Sequence, residues 1–185
     1  MKKLLLMVLA VAWSGAALAA ESQKLTFDVS GVVCGGCAKA LAGALGEGGL
    51  KVEGGLAPSK DKKEPSRIVA TADEGVDLGA AAAKVQKKEK PHPAPPGGLS
   101  LVLFATLDKD SAKKAVDAVS KVKGVDKTET KADEKKGEIV VRISGGEKLT
   151  ANTLVDALKK DAGVTASVAK AKEKDKEKEK GKDKK

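Results

Sequence analysis

Cys34 and Cys37 are the two thiols of this 185-residue chain, and they stand three apart in Gly31-Val32-Val33-Cys34-Gly35-Gly36-Cys37. At a helix start that spacing lets both sulfurs point at one ion. The helix end adds unpaired N–H groups and positive potential, which lower a thiolate pKa, and it is the thiolate that binds metal. Gly35 and Gly36 are expected to let the loop fold tightly enough for the sulfurs to converge. Two soft sulfurs suit Cu(I), which accepts two-coordination, and after it Ag(I) or Hg(II). Structural zinc wants four ligands, so Zn(II) ranks last. His92 could reach in to add a third ligand, but a lone histidine flanked by prolines is expected to be merely exposed.

The elements that must position this pair are periodic. Leu25, Phe27 and Val29 alternate with Thr26, Asp28 and Ser30, as in a half-buried strand. Leu41 and Leu45 then share one helix face. Ile68-Val69-Ala70 reads as a β-branched strand, and Asp77 opens a second helix over Leu78–Val85. Sliding the chain by 74 positions lays Cys34 over Asp108 and Cys37 over Ser111, and brings Phe27 over Leu101 and Leu41 over Ala115. The second copy continues with Val119 and Val122, a strand at Ile139–Ile143, and a helix from Thr150 through Leu154, Val155 and Leu158 that stops at Gly163. Val164–Val168 is its expected closing strand.

This order predicts an α+β protein of two tandem ferredoxin-like βαββαβ sandwiches, residues 20–90 and 99–169, with helices on one sheet face. The proline-rich stretch 91–98 is a stiff spacer between them. The first copy lacks a clear final strand, because Gln86–Lys90 is too polar; its edge is expected to be weak or supplied by the second copy. In that second copy Val102, Phe104 and Val140 face away from the helices. Apolar residues on an outer face predict a covered surface, docking either the first copy or a partner protein.

With the cysteine loop lying between a first strand and a first helix, the chain resembles the heavy-metal-associated domain family of copper chaperones and periplasmic mercury-binding proteins. The family motif, Gly-Met-x-Cys-x-x-Cys, is matched by Gly31, Cys34 and Cys37. The resemblance implies a metal ion held by Cys34 and Cys37, and a protein that donates or receives it. Val32 replaces the methionine that packs beneath the metal loop. A family lysine or aromatic near the metal has no assigned counterpart; Lys84, Lys87 and Lys88 are possible charge partners for a negative bis-thiolate complex. Asp108 and Ser111 are hard oxygen groups that cap helices well, so the second copy is expected to bind no metal.

Residues 1–19 read as a secretory signal: Lys2 and Lys3, the apolar run Leu4–Ala12, and the small-residue cleavage site Ala17-Leu18-Ala19. Export to the periplasm or beyond is therefore expected, with no integral membrane segment after cleavage. At the other end, 170–185 alternates Lys with Glu or Asp and carries +4 of the formal +9 charge; it reads as a solvating tail. The aromatics are Trp13, Phe27 and Phe104 alone, too few to stack RNA bases, so no nucleic-acid partner is expected. The one histidine, His92, stands in the proline-rich stretch, so no Ser–His–Asp grouping is expected, and there is no Gly-Lys-Ser/Thr phosphate loop. No catalytic residue is assigned and no enzyme is expected. The reading is an exported carrier or scavenger of a soft ion. Its alternatives are a thiol–disulfide oxidoreductase using the same pair, and an interaction scaffold whose thiols are incidental.

Overall fold

The computed structural model describes residues 22–59, 64–89, 91 and 96–169. The expected export signal, His92 with most of the proline-rich spacer, and the Lys-rich tail lie outside the described residues. Strand β1 (Ser22–Ser30) leads into helix α1 (Gly35–Glu47), followed by β2 (Lys51–Val52), β3 (Ser66–Asp73) and α2 (Leu78–Lys87). The second half runs β4 (Gly98–Ala105), α3 (Lys109–Val119), β5 (Lys131–Asp133), β6 (Glu138–Ile143), α4 (Ala151–Ala157) and β7 (Ala166–Ser167). Asp77 and Thr150 cap α2 and α4 with their side chains. After α4 a π-helical turn, Leu158–Ala162, ends at Gly163, whose φ of 67° is the left-handed stop.

The strands are antiparallel and form one sheet in the order β2-β3-β1-β4-β6-β5, with β7 also on β4. Directly opposed residues of such a sheet share a face, so Ile68, Phe27, Leu101 and Val141 form one row across four strands. All of them are buried, and they belong to a single core with Leu41, Leu45, Val85, Val119 and Leu154 from the helices. Each such side chain contributes about 1.5–3 kcal/mol by leaving water. This is the α+β, ferredoxin-like class expected, with one correction: the halves are not two separate sandwiches.

The reason lies at the edge of β1. Gln86 and Lys87 finish α2 instead of starting a strand, as polar residues beside a helix end favour. The position that a fourth strand would take is filled by β4, whose Gly98–Val102 pairs with Thr26–Ser30. Gly98, expected in the spacer, is thus the first residue of a strand. Supply from the second half follows from what β4 offers: Leu99, Leu101 and Leu103 toward the helices and Val102 behind them, all fully buried. The arrangement also explains why the closing strand expected at Val164–Val168 shrinks to Ala166–Ser167. Ser167 stands opposite Phe104 and Thr26 opposite Val102 on the same edge, so β1 occupies the length that β7 would otherwise take. The helix layer is joined as well. Leu78 N–H donates to Leu149 O at 2.7 Å, and Asp77 Oδ1 accepts from Leu149 N–H at 3.2 Å while capping its own helix.

On the outer face, Arg67 reaches from β3 across β1 and β4. It makes two bonds to Asp28, at 2.8 and 3.1 Å, and one to Glu138 on β6, at 2.7 Å. Paired in this way, both acids can be nearly buried without standing as lone charges. Of the three apolar residues expected on this face, Val102 is fully buried within the chain, while Phe104 and Val140 are half-buried. The first half meets β4 along its edge, not on this face.

Candidate metal centre

The cysteine loop is made by a turn and a cap. At the end of β1, Gly31 takes φ 80°, a conformation open to glycine, and turns the chain toward the helix layer. Val32 then drops into the core, where it supplies the apolar footing expected of it, and its carbonyl accepts from Ser59 N–H at 3.1 Å. Cys34 is the N-cap of α1, extended at φ −155° and ψ 163°, and its Sγ accepts from Cys37 N–H at 3.0 Å. The Cα atoms of Cys34 and Cys37 are 5.0 Å apart and the sulfurs are joined in a disulfide. Both sulfurs therefore face the same point, as the spacing predicts. Cys37 is fully buried, whereas Cys34 is half-buried and gives the pair its access to solvent.

Two expectations about the surroundings are corrected. Gly35 and Gly36 belong to the first turn of α1 and neither has a positive φ, so the backbone does not need glycine at either position. Lys84 and Lys88 do not approach the sulfurs. Lys84 donates to the carbonyl of Glu47 and Lys88 pairs with the Glu47 carboxylate, at the opposite end of α1, about 18 Å along its axis. Lys87 lines the same surface beside Glu47. These lysines join α2 to the negative end of α1.

Asp108 and Ser111 show what the same position does without sulfur. Asp108 caps α3, its Oδ1 accepting from Ser111 N–H at 2.7 Å, while Ser111 Oγ accepts from Asp108 N–H at 2.8 Å. This is a closed capping box, the counterpart of the bond from Cys37 N–H to Cys34 Sγ. The Ser111 N–H, and after it the Ser111 hydroxyl, hold the Asp108 carboxyl below its ordinary 3.8. A lowered carboxylate pKa means that the cap's contribution is complete above the unfolded value and is lost as pH falls through the folded one. The Ser111 amide resonance is therefore expected to titrate with a midpoint below 3.8, and Asp108→Asn is expected to remove that titration.

Two neighbours of the site were not legible beforehand: Ser59, tied to Val32, and Pro91, whose ring lies against Gly36. Nothing in their local sequence marks either one, because both reach the loop through the fold of the chain. Among the described residues no three His, Cys, Asp or Glu side chains gather as a metal-binding group. His92 lies outside the described residues. Also among the described residues, no helix is long and apolar enough to cross a membrane.

No protein-family model matches the chain, and no curated protein does. Among solved structures, the N-terminal soluble domains of Bacillus subtilis CopA are similar at 17% identity, covering 81% of this chain and 95% of that one, with a TM-score of 0.34.

Proposed function

We propose that this chain is an exported, non-enzymatic protein of the heavy-metal-associated type that carries or scavenges one soft metal ion, Cu(I) foremost, between Cys34 and Cys37. The observation that carries this reading is the convergence of both sulfurs at the start of α1, one capping the helix and the other in its first turn. Binding requires the reduced pair. Two equivalents of a small thiol reduce the disulfide to two thiols and leave joined as their own disulfide, and the ion then displaces the protons as it takes two thiolates. Ion exchange with a donor or acceptor protein would proceed at the solvent-facing Cys34. The export assignment rests on the N-terminal sequence, and the absence of catalysis on the lack of any assigned acid–base group.

A thiol–disulfide oxidoreductase is the second reading, favoured by the joined sulfurs and by their unequal exposure, since an accessible thiol beside a buried one can attack and then be resolved. Metal content and turnover separate the two. The reduced protein is expected to hold one Cu(I) per chain against a competing chelator, to prefer it to Zn(II), and to show no catalytic disulfide exchange. Turnover without retained metal would support the enzyme instead.

A further inference from the structure

Gly35 and Gly36 are neighbours in the first turn of α1, but their surroundings differ. A Cβ on Gly35 would meet nothing within 4 Å, whereas one on Gly36 would lie 2.8 Å from Pro91 Cγ and 3.8 Å from Cys34 Sγ. Glycine at 36 is thus demanded by space: the proline ring sits where a side chain would begin. Pro91 Cγ and Cys34 Sγ both lie within 4 Å of that one point, so the ring and the sulfur are neighbours at the start of α1. Cys37 is fully buried and Cys34 half-buried, so a small molecule reaches the sulfurs at Cys34, the residue that Pro91 neighbours.

We propose that Pro91 is a specificity-determining residue of the cysteine site, screening the Cys34 flank so that a bound ion keeps two sulfur ligands. This inference rests on the metal-binding reading and deepens it. Proline brings hydrocarbon bulk with no N–H and no ligating side-chain atom, so it fills the flank without adding a ligand or a donor. An ion content with two thiolates, as Cu(I) is, loses nothing by this. One that needs further ligands, as Zn(II) does, cannot recruit them from solvent or a small thiol on that side. Gly36 is the other half of the arrangement, because any side chain there would push the ring away.

Metal-free and metal-loaded measurements on the full chain test this separately. In the reduced, metal-free protein, alkylation of Cys34 by iodoacetamide is expected to be several-fold faster in Pro91→Gly and Gly36→Ala than in the unsubstituted protein. Pro91 is exposed, so Pro91→Gly should lower the melting temperature only by the small amount that a freer unfolded backbone costs. Equal alkylation rates would overturn the proposal. After Cu(I) loading in excess dithiothreitol, X-ray absorption is expected to show two sulfurs on copper in the unsubstituted protein and three in Pro91→Gly. Three in both, or two in both, would also overturn it. Failure of both proteins to retain Cu(I) would overturn the metal-binding reading, and the specificity role with it, even where the alkylation rates differ.

Discussion

The double substitution Cys34→Asp with Cys37→Ser is expected to leave a folded protein that no longer binds soft metal. The affinity for Cu(I) should fall at least about a thousandfold, a loss of about 4 kcal/mol, because hard oxygens do not substitute for thiolates toward Cu(I). What makes the double substitution informative is the start of α3, where Asp108 and Ser111 satisfy the helix end by a reciprocal pair of bonds at 2.7 and 2.8 Å. The same two residue types at positions 34 and 37 can close the same box, and the introduced carboxylate would replace the bond that Cys34 Sγ now accepts from Cys37 N–H. Helix capping is thereby kept while the ligands are removed. Isothermal titration with Cu(I) under a competing chelator measures the loss, and circular dichroism checks the fold. Retention of one Cu(I) per chain by this variant would place the metal elsewhere and end the assignment of Cys34 and Cys37.

Leu101→Ala is expected to destabilise the cysteine-bearing half as much as its own. Leu101 is fully buried in β4, opposite Phe27 of β1 on one side and Val141 of β6 on the other. A Leu→Ala cavity at such a site costs about 2–5 kcal/mol, a large share of the roughly 5–15 kcal/mol by which a domain is stable. Because β4 completes the edge of β1 and the core is continuous across both halves, unfolding should follow one transition. Amide exchange in α1 and in α3 should then report the same shift. Two transitions, with α1 protected as before, would show that the halves are energetically separate.

Much of the local structure could be read from residue types. The alternation of Leu25, Phe27 and Val29 gave a strand and its core-facing set, although Thr26 and Asp28 on the other face are buried as well and the strand is not the half-buried one expected. Asp77, Asp108 and Thr150 marked helix starts that the structure confirms by hydrogen bonds to their side chains. The sulfurs converge as their spacing required. Other expectations failed for want of distant information. Lys84 and Lys88, offered by the sequence as charge partners for a bis-thiolate complex, lie instead at the far end of α1, held by Glu47. The two glycines between the cysteines suggested a conformational need, whereas Gly36 meets a steric one imposed by Pro91.

The amino-acid sequence by itself determined the long strands and helices, their caps and the pairing of two thiols at a helix mouth, because these depend on side-chain periodicity and on hydrogen bonds made within a few residues. The short strands β2 and β5 carry no such pattern. Tertiary structure alone decided that β4 should complete the edge of β1, that β7 should shorten to Ala166–Ser167, and that a proline should press on Gly36. An exposed strand edge presents the same row of N–H and C=O groups to any partner strand, so local pattern cannot say which segment will fill it. That choice is made by which candidate buries the most apolar surface once the helices are in place, and β4, apolar on both faces, prevails.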